Sequence, residues 1–253
     1  MRCNKFLILY PMMTKSNVKN TLRQKVTKRL KISKDVKAID QVTLHRAESK
    51  NPWYIRFTNN DDFYNKYMAT EWGFEERNDN ALFEKLCLEG AQAGLSWRTI
   101  LNKREAYRQC FHNFDIVKVS NMSTSQIDEI LSLQSKTKRN NDVVVKHRGK
   151  LEAIVNNAKQ ILTMVDREEG YTTFSDYLWS FVNDQPILNR WSSFEDIPSK
   201  SKESEEMSRA LKSHGFKFVG PTTCYSLMQS CGFVIDHPVD TPEWQAAFER
   251  LHS

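Results

Sequence analysis

Hydrophobic residues recur with helical spacing along most of the chain after residue 50. The clearest stretch predicts a helix from Asn80 to Ala93, with Leu82 and Leu86 on one apolar stripe. A carboxylate, Glu89, occupies the same stripe between Leu86 and Ala93. This helix therefore combines a core-facing pattern with one charged residue that the pattern does not explain.

Capping residues mark the ends of the other predicted helices. Ser96 precedes a helix that runs to about Cys110, and Ser123 with Gln126 forms a capping box for the next. Further helices are predicted over Lys150–Leu162, over Phe174–Val182, from Ser204 to a stop at Gly215, from Pro221 to Gly232, and from Thr241 onward. Because alternating strand patterns are nearly absent, the sequence predicts an all-α fold.

Charge divides the chain into two parts. Residues 1–50 hold thirteen Lys and Arg against three acids, so they carry +10, and residues 51–253 carry −4 because the whole chain is +6. We interpret residues 1–50 as a basic, disordered extension and residues 51–253 as the folded domain. A transit peptide, a nuclear signal and a DNA-gripping arm are further interpretations of the extension.

Composition excludes several classes of protein. The longest apolar run, Phe6–Tyr10, is too short to cross a membrane. Five cysteines without CxxC spacing indicate free thiols in a reducing compartment. The sequence also lacks the HExxH, P-loop, GxGxxG, zinc-deaminase and GxSxG motifs, and its six histidines are scattered.

Glu89 is the first candidate for chemistry, because a carboxylate on an apolar stripe is expensive to desolvate. Such a group needs a cationic partner or has a raised pKa. Its alternative interpretation is structural, as a carboxylate held by an arginine or by backbone amides.

Aromatic residues surround this helix in the sequence. They are Trp53, Tyr64, Tyr67, Trp72 and Trp97. Core packing is their ordinary use. The alternative is a set of plates that stack on a planar ligand such as a flipped nucleobase, and an adjacent acid would favour a cationic one.

Basic residues cluster between positions 136 and 150. They are Lys136, Lys138, Arg139, Lys146, Arg148 and Lys150, and Gly149 lies among them at a helix start that could hold a phosphate. A solvated loop explains the same charges.

Together these residues resemble the DNA-3-methyladenine glycosylase I family of the helix-hairpin-helix glycosylase superfamily, from about Trp53 to His237. The most specific match is Leu82–Trp97, LFEKLCLEGAQAGLSW. Further matches in compatible order are Glu71–Gly73, Lys146–Lys150, Leu178–Asn183 and Gly215–Gly220. The resemblance implies helical lobes around a base-binding pocket.

The resemblance also implies roles for individual residues. Glu89 and Tyr67 match the catalytic pocket pair. The residues that match the base-binding walls are Trp53, Tyr64, Trp72, Trp97 and Ser226. The turn with Gly94 and Leu95 matches the element that fills the gap left by a flipped base. Lys146, Arg148, Gly149 and Lys150 resemble the hairpin that grips the DNA backbone.

One departure concerns the structural zinc of the family, which is held by Cys, His, His and Cys. His237 is the one ligand position that this sequence retains, since Met68, Thr241 and either Asn51 or Ile55 replace the others. One ligand cannot make a tetrahedral site. We therefore predict no zinc and no other cofactor, with the ends held by packing of the Thr241–Leu251 helix.

The resemblance implies a monofunctional glycosylase that excises 3-methyladenine from alkylated double-stranded DNA. It also implies a monomer that has no membrane partner. Its compartment would be the nucleus or a DNA-containing organelle in a eukaryote, and otherwise the cytoplasm. Two other classes stay open: a catalytically inactive module for damaged or bent DNA, and a helical interaction scaffold. Formation of abasic sites in methylated DNA separates the three.

Overall fold

The computed structural model describes residues 54, 58–133, 143–167 and 171–252, without the side chains of residues 133, 166 and 167. Ten α-helices occur in these ranges. They are α1 (Asp62–Thr70), α2 (Asp79–Gln92), α3 (Trp97–Cys110), α4 (Ile116–Ser120), α5 (Thr124–Leu133), α6 (Arg148–Arg167), α7 (Phe174–Ser180), α8 (Lys202–Ser213), α9 (Pro221–Ser230) and α10 (Pro242–His252). The all-α prediction is confirmed.

A minimal parallel sheet joins two distant parts of the described chain. Strand β1 (Ile187–Leu188) pairs with β2 (Val234–Ile235), and Ile187 lies opposite Val234. The sequence did not predict these strands, because two residues are too few to show an alternating pattern.

Helix α2 is the centre of the core. Every residue from Leu82 to Ala91 is buried, which is more than the two adjoining stripes expected from the sequence. The helix packs against α3, α6, α7 and α9. Gly90 lies inside it because the loop after α8 passes close by: a Cβ added at Gly90 would be 3.1 Å from the Cβ of Phe218.

Local signals placed most helix ends within one or two residues. The side chain of Ser96 accepts from the Thr99 N–H, and Ser123 and Gln126 form the predicted capping box. Gly215 has φ +83°, as a left-handed cap requires. Helix α6 departs most, since it begins at Arg148 and runs to Arg167, beyond the predicted end at Leu162.

One turn between two packed helices lies outside the predicted hairpin. Residues 148–150 form the first turn of α6, whereas residues 214–220 connect α8 to α9, which pack against each other. Asn157 of α6 holds this connection through both backbone groups of Lys217, at 2.8 and 3.0 Å. Helices α8 and α9 thus form a helix-turn-helix element that the sequence analysis did not predict, and the DNA-gripping role of residues 146–150 stays a prediction.

The final helix, α10, packs against residues that lie earlier in the chain. The Trp244 indole N–H donates to the Asn189 carbonyl at 2.7 Å, and Arg190 lies 5.0 Å over the Trp244 ring. Arg250 lies 3.8 Å from Glu75. No helix in the described ranges is both long and apolar enough to cross a membrane.

Candidate active site

A cavity of about 280 Å³ lies where α1, α2, the start of α3 and α9 meet. Aromatic side chains dominate its wall, and a few polar groups converge on it, as in sites for planar ligands. The lining residues are Tyr54, Thr58, Tyr64, Tyr67, Met68, Trp72, Glu89, Gln92, Trp97, Phe194, Ser226 and Gln229.

Helix α1 supplies the phenol side of the cavity. Its N-cap, Asp61, accepts from the Tyr64 N–H at 2.8 Å, which starts the helix so that Tyr64 and Tyr67 share one face. Their ring centroids are 6.3 Å apart, and Tyr67 lies 5.5 Å from the Trp97 ring. Burial and the nearby Glu89 raise the pKa of Tyr64 to about 12, and the pKa of Tyr67 is raised for the same reasons, so both phenols are neutral at physiological pH.

Two polar atoms of this wall are buried without hydrogen-bond partners in the described part of the chain. They are the Tyr67 hydroxyl and the Trp97 indole Nε1. A buried polar group without a partner costs about 1–3 kcal/mol, so native proteins keep few of them. Both belong to residues that line the cavity, where a bound ligand can supply the missing partner.

Trp72, which lines the cavity, also contacts His237. Their rings meet edge to face with centroids 5.1 Å apart, and His237 is buried. The side chain predicted as a remnant zinc ligand therefore packs against a tryptophan of the cavity.

Glu89 projects from α2 into this wall and is 6% exposed. Burial raises its pKa to about 8, and the Lys85 ammonium and the Ser230 hydroxyl oppose that shift only in part. Lys85, one turn earlier on α2, is shared: its Nζ lies 3.6 Å from Glu71 and 4.8 Å from the Tyr67 ring centroid. Among the described residues, no arginine pairs with this buried carboxyl group.

The structure brings together most of the residues singled out from the sequence. Tyr64, Tyr67, Trp72, Glu89, Trp97 and Ser226 all line the one cavity. Trp53 lies outside the described residues.

Several lining residues were missed. Gln92 and Gln229 lie one turn after Glu89 and Ser226, so helical spacing could have indicated them. Tyr54, Thr58, Met68 and Phe194 come from separate parts of the chain and carry no local signal.

The turn predicted to enter DNA lies at the end of α2. Gly94 has φ +78° and is exposed, and Leu95 is 40% exposed, which is high for a leucine. The role of this turn as an apolar wedge stays a prediction.

Lys150 differs from its predicted role as a contact to the DNA backbone. It is 8% exposed, and its Nζ donates to the carbonyls of Ala91 and Ala93 at 2.9 and 2.6 Å. These carbonyls belong to the last turn of α2, so Lys150 braces the wedge turn from behind.

The other described basic side chains of this cluster, unlike that of Lys150, face solvent. Lys146 and Arg148 are exposed, although Arg148 pairs with Asp128 and with Glu152. Gly149 lies in the first turn of α6, where the His147 ring accepts from the Lys150 N–H at 3.2 Å. This ring already caps one of the amides that were predicted to be open to a phosphate.

The described side chains at the predicted zinc-ligand positions other than His237 do not fit a zinc ion. Met68 offers a thioether, and the Thr241 hydroxyl donates to the Pro238 carbonyl at 2.6 Å. Within the described ranges no three His, Cys, Asp or Glu side chains are grouped to hold a metal. Asn51 and Ile55 lie outside those ranges, and the absence of zinc stays a prediction.

Comparison with known proteins agrees with this site. A family model described as methyladenine glycosylase matches residues 57–244. A DNA-3-methyladenine glycosylase of Haemophilus influenzae is 46% identical and covers 76% of this chain and 95% of its own length. DNA-3-methyladenine glycosylase 1 of Escherichia coli is 45% identical over 71% and 90%. A 3-methyladenine DNA glycosylase I structure from Staphylococcus aureus, concerned with 3-methyladenine recognition, is 36% identical, with TM-score 0.68 over 76% and 97%. The chain belongs to the methyladenine glycosylase family.

Proposed function

We propose that this chain excises 3-methyladenine from alkylated double-stranded DNA by hydrolysis of the N-glycosidic bond. One observation carries the proposal: Glu89 is buried in an aromatic cavity that also holds the unpartnered Tyr67 hydroxyl. Such a site is unfavourable when empty and favourable around a flat cation with hydrogen-bonding edges. N3-methyladenine in DNA is such a cation.

The base must leave the helix before it can reach this cavity. Leu95 on its left-handed turn fills the space that the base vacates, and Tyr64, Trp72 and Trp97 supply ring faces for the extruded base. Extrusion costs a few kcal/mol, and stacking in the pocket offsets that cost. The exposed Lys146 contributes phosphate attraction.

The chemical step needs little acid catalysis. The bond between the sugar C1′ and N9 of the base breaks, and its electron pair neutralises the positive charge of the base. Water adds its oxygen to C1′ and releases a proton, which leaves an abasic site and free 3-methyladenine. Glu89 in its ionised form stabilises the bound cation, and Tyr67 orients it.

The lining favours a monofunctional enzyme. Among the described residues that line the cavity there is no lysine, and a lyase step through a Schiff base requires an amine at the sugar. We further propose that the protein acts as a monomer, in a compartment that holds DNA: the nucleus or an organelle in a eukaryote, and otherwise the cytoplasm.

The decisive experiment incubates the protein with methylated duplex DNA and measures free base, abasic sites and strand breaks separately. We expect total free base and abasic sites in equal amounts, with 3-methyladenine among the released bases and strand breaks only after alkali. A non-catalytic module for damaged DNA, the second candidate, would bind the same duplex and release no base. Breaks without alkali would contradict the monofunctional mechanism.

A further inference from the structure

A second buried carboxylate lies behind the cavity, directly after strand β2. Asp236 is 0% exposed, and each of its oxygens receives two hydrogen bonds. Oδ1 accepts from the Asn189 amide and the Trp191 indole, both at 2.7 Å. Oδ2 accepts from the Tyr225 hydroxyl at 2.7 Å and from the Gln229 amide at 2.9 Å. These four short hydrogen bonds hold the carboxylate in one orientation, in which it acts only as an acceptor.

Gln229 connects this carboxylate to the cavity. It lies one turn after Ser226 on α9, and both residues line the cavity wall. Since Asp236 accepts only, Gln229 must present its amide nitrogen to it. The carbonyl oxygen at the other end of the same planar amide is then left for the cavity. Without Asp236, the two ends of the amide could exchange places.

We propose that Asp236 is a positioning residue that holds Gln229 with its carbonyl oxygen toward the base, and that Gln229 thereby selects adenine-type over guanine-type alkylated bases. This inference rests on the proposed function. Adenine carries an exocyclic amino group with two N–H donors, so Glu89 and the Gln229 carbonyl can each accept one. Guanine carries a carbonyl oxygen at that position, which would face the Gln229 oxygen and leave both without a donor.

The proposal is tested with duplex DNA that contains both 3-methyladenine and 3-methylguanine, by measuring kcat/KM for release of each base. Gln229→Met keeps the length of the side chain and removes its amide. We expect a roughly 10–100-fold lower kcat/KM for 3-methyladenine and a smaller change for 3-methylguanine, so the preference between them narrows. Asp236→Asn offers an amide donor to the Gln229 carbonyl, which turns that amide around and narrows the preference as well.

The double variant separates positioning from a structural role. If Asp236 acts through Gln229, Asp236→Asn changes the preference no further once Gln229→Met is present. Asn189→Ala is the matched control, because it removes a 2.7 Å donor from Asp236 without touching Gln229, and it should leave the preference unchanged. Thermal unfolding of each variant records its stability.

Either of two results would overturn the proposal: an unchanged preference in Gln229→Met, or an effect of Asp236→Asn that persists undiminished in the double variant. Should Asp236→Asn fail to fold, the preference of Gln229→Met alone decides. Failure of the wild-type protein to release 3-methyladenine would instead overturn the proposed function, and this inference with it.

Discussion

Glu89 lies in an environment that disfavours the negative charge that its proposed function requires. Burial raises its pKa to about 8, so the acid is mostly protonated at neutral pH. From the sequence alone, either a cationic partner or a raised pKa is expected for this carboxylate. A cationic base lowers the pKa again by direct attraction, and the charge therefore forms when the ligand needs it.

The pH dependence of activity follows from this value. The charge of N3-methyladenine in DNA is fixed by methylation, and kcat/KM reports ionisation in the free enzyme. Because ionised Glu89 is the productive form, kcat/KM for base release should rise with pH and level off above about 8. Glu89→Gln should lose this rise and give a flat profile. A wild-type profile that stays flat, or that falls, as pH passes through the pKa of Glu89 would contradict the role of the carboxylate.

Fold stability should show the opposite dependence on pH. Below its ordinary pKa of 4.5, Glu89 is protonated in the folded and unfolded states alike. Between 4.5 and about 8 the unfolded chain releases the proton more readily, so the free energy of unfolding falls as pH rises. We expect Glu89→Gln to be more stable than wild type by about 1–3 kcal/mol at about pH 7 and equal to it near pH 4, in urea unfolding. A less stable variant at neutral pH would show that the burial cost is overstated.

At the scale of elements, α2 links the base pocket to the surface that meets DNA. Glu89 lies near its end inside the cavity, and the Leu95 turn follows it outside. Lys150 from α6 closes the last turn of the helix with two hydrogen bonds. The position of the wedge relative to the pocket therefore depends on a contact between two helices.

Lys150→Met tests this brace, since it keeps the side-chain length and removes the donors. The buried Ala91 carbonyl and the half-buried Ala93 carbonyl lose this donor, so the free energy of unfolding should fall by about 1–3 kcal/mol. Base release under single-turnover conditions should slow as the wedge loses its support. The exposed Lys146 is the matched control, and Lys146→Met should change stability by less than about 0.5 kcal/mol. If Lys150→Met retained full stability and lost only DNA affinity, the phosphate contact first predicted for it would be right.

Sequence patterns located elements better than they located contacts. The caps at Ser96, Ser123 and Gly215 are local signals, since each depends on residues within one turn. Lys150 is different, because its acceptors are 57 and 59 residues away in the sequence. A basic cluster carries no information about burial against such distant residues, and it therefore predicts a DNA contact for each of its members alike.

The whole molecule carries its positive charge unevenly. Residues 51–253 have a net charge of −4, so the general attraction to DNA has to come from local patches or from residues 1–50. If those residues act as a DNA arm, their removal should weaken DNA binding and flatten the dependence of log Kd on log salt, by about one unit of slope for each phosphate that the arm neutralises. An unchanged slope after their removal would leave a targeting or solvated segment as the interpretation.

In the site as well, the sequence predicted residues that belong to local motifs and missed residues that only the fold brings together. The resemblance of residues 82–97 placed Glu89 and Trp97, and the match at 71–73 placed Trp72. Asp236 and Phe194 were not found, because their importance depends on how α9, β2 and the loops meet in space. A zinc ion is predicted absent on the donor set alone, and metal analysis of the purified full chain should find less than stoichiometric zinc.

The most direct test of the central claim compares wild type with Glu89→Gln on methylated duplex DNA at about pH 8, where wild-type release levels off. Single-turnover release of 3-methyladenine is the measurement, with DNA affinity measured in parallel. We expect release by the variant to fall by about 10²–10³-fold, the loss seen when one buried electrostatic contact to the transition state is removed, while DNA affinity changes little. Release at the wild-type rate by a folded Glu89→Gln protein would contradict the claim that this carboxylate recognises a cationic base.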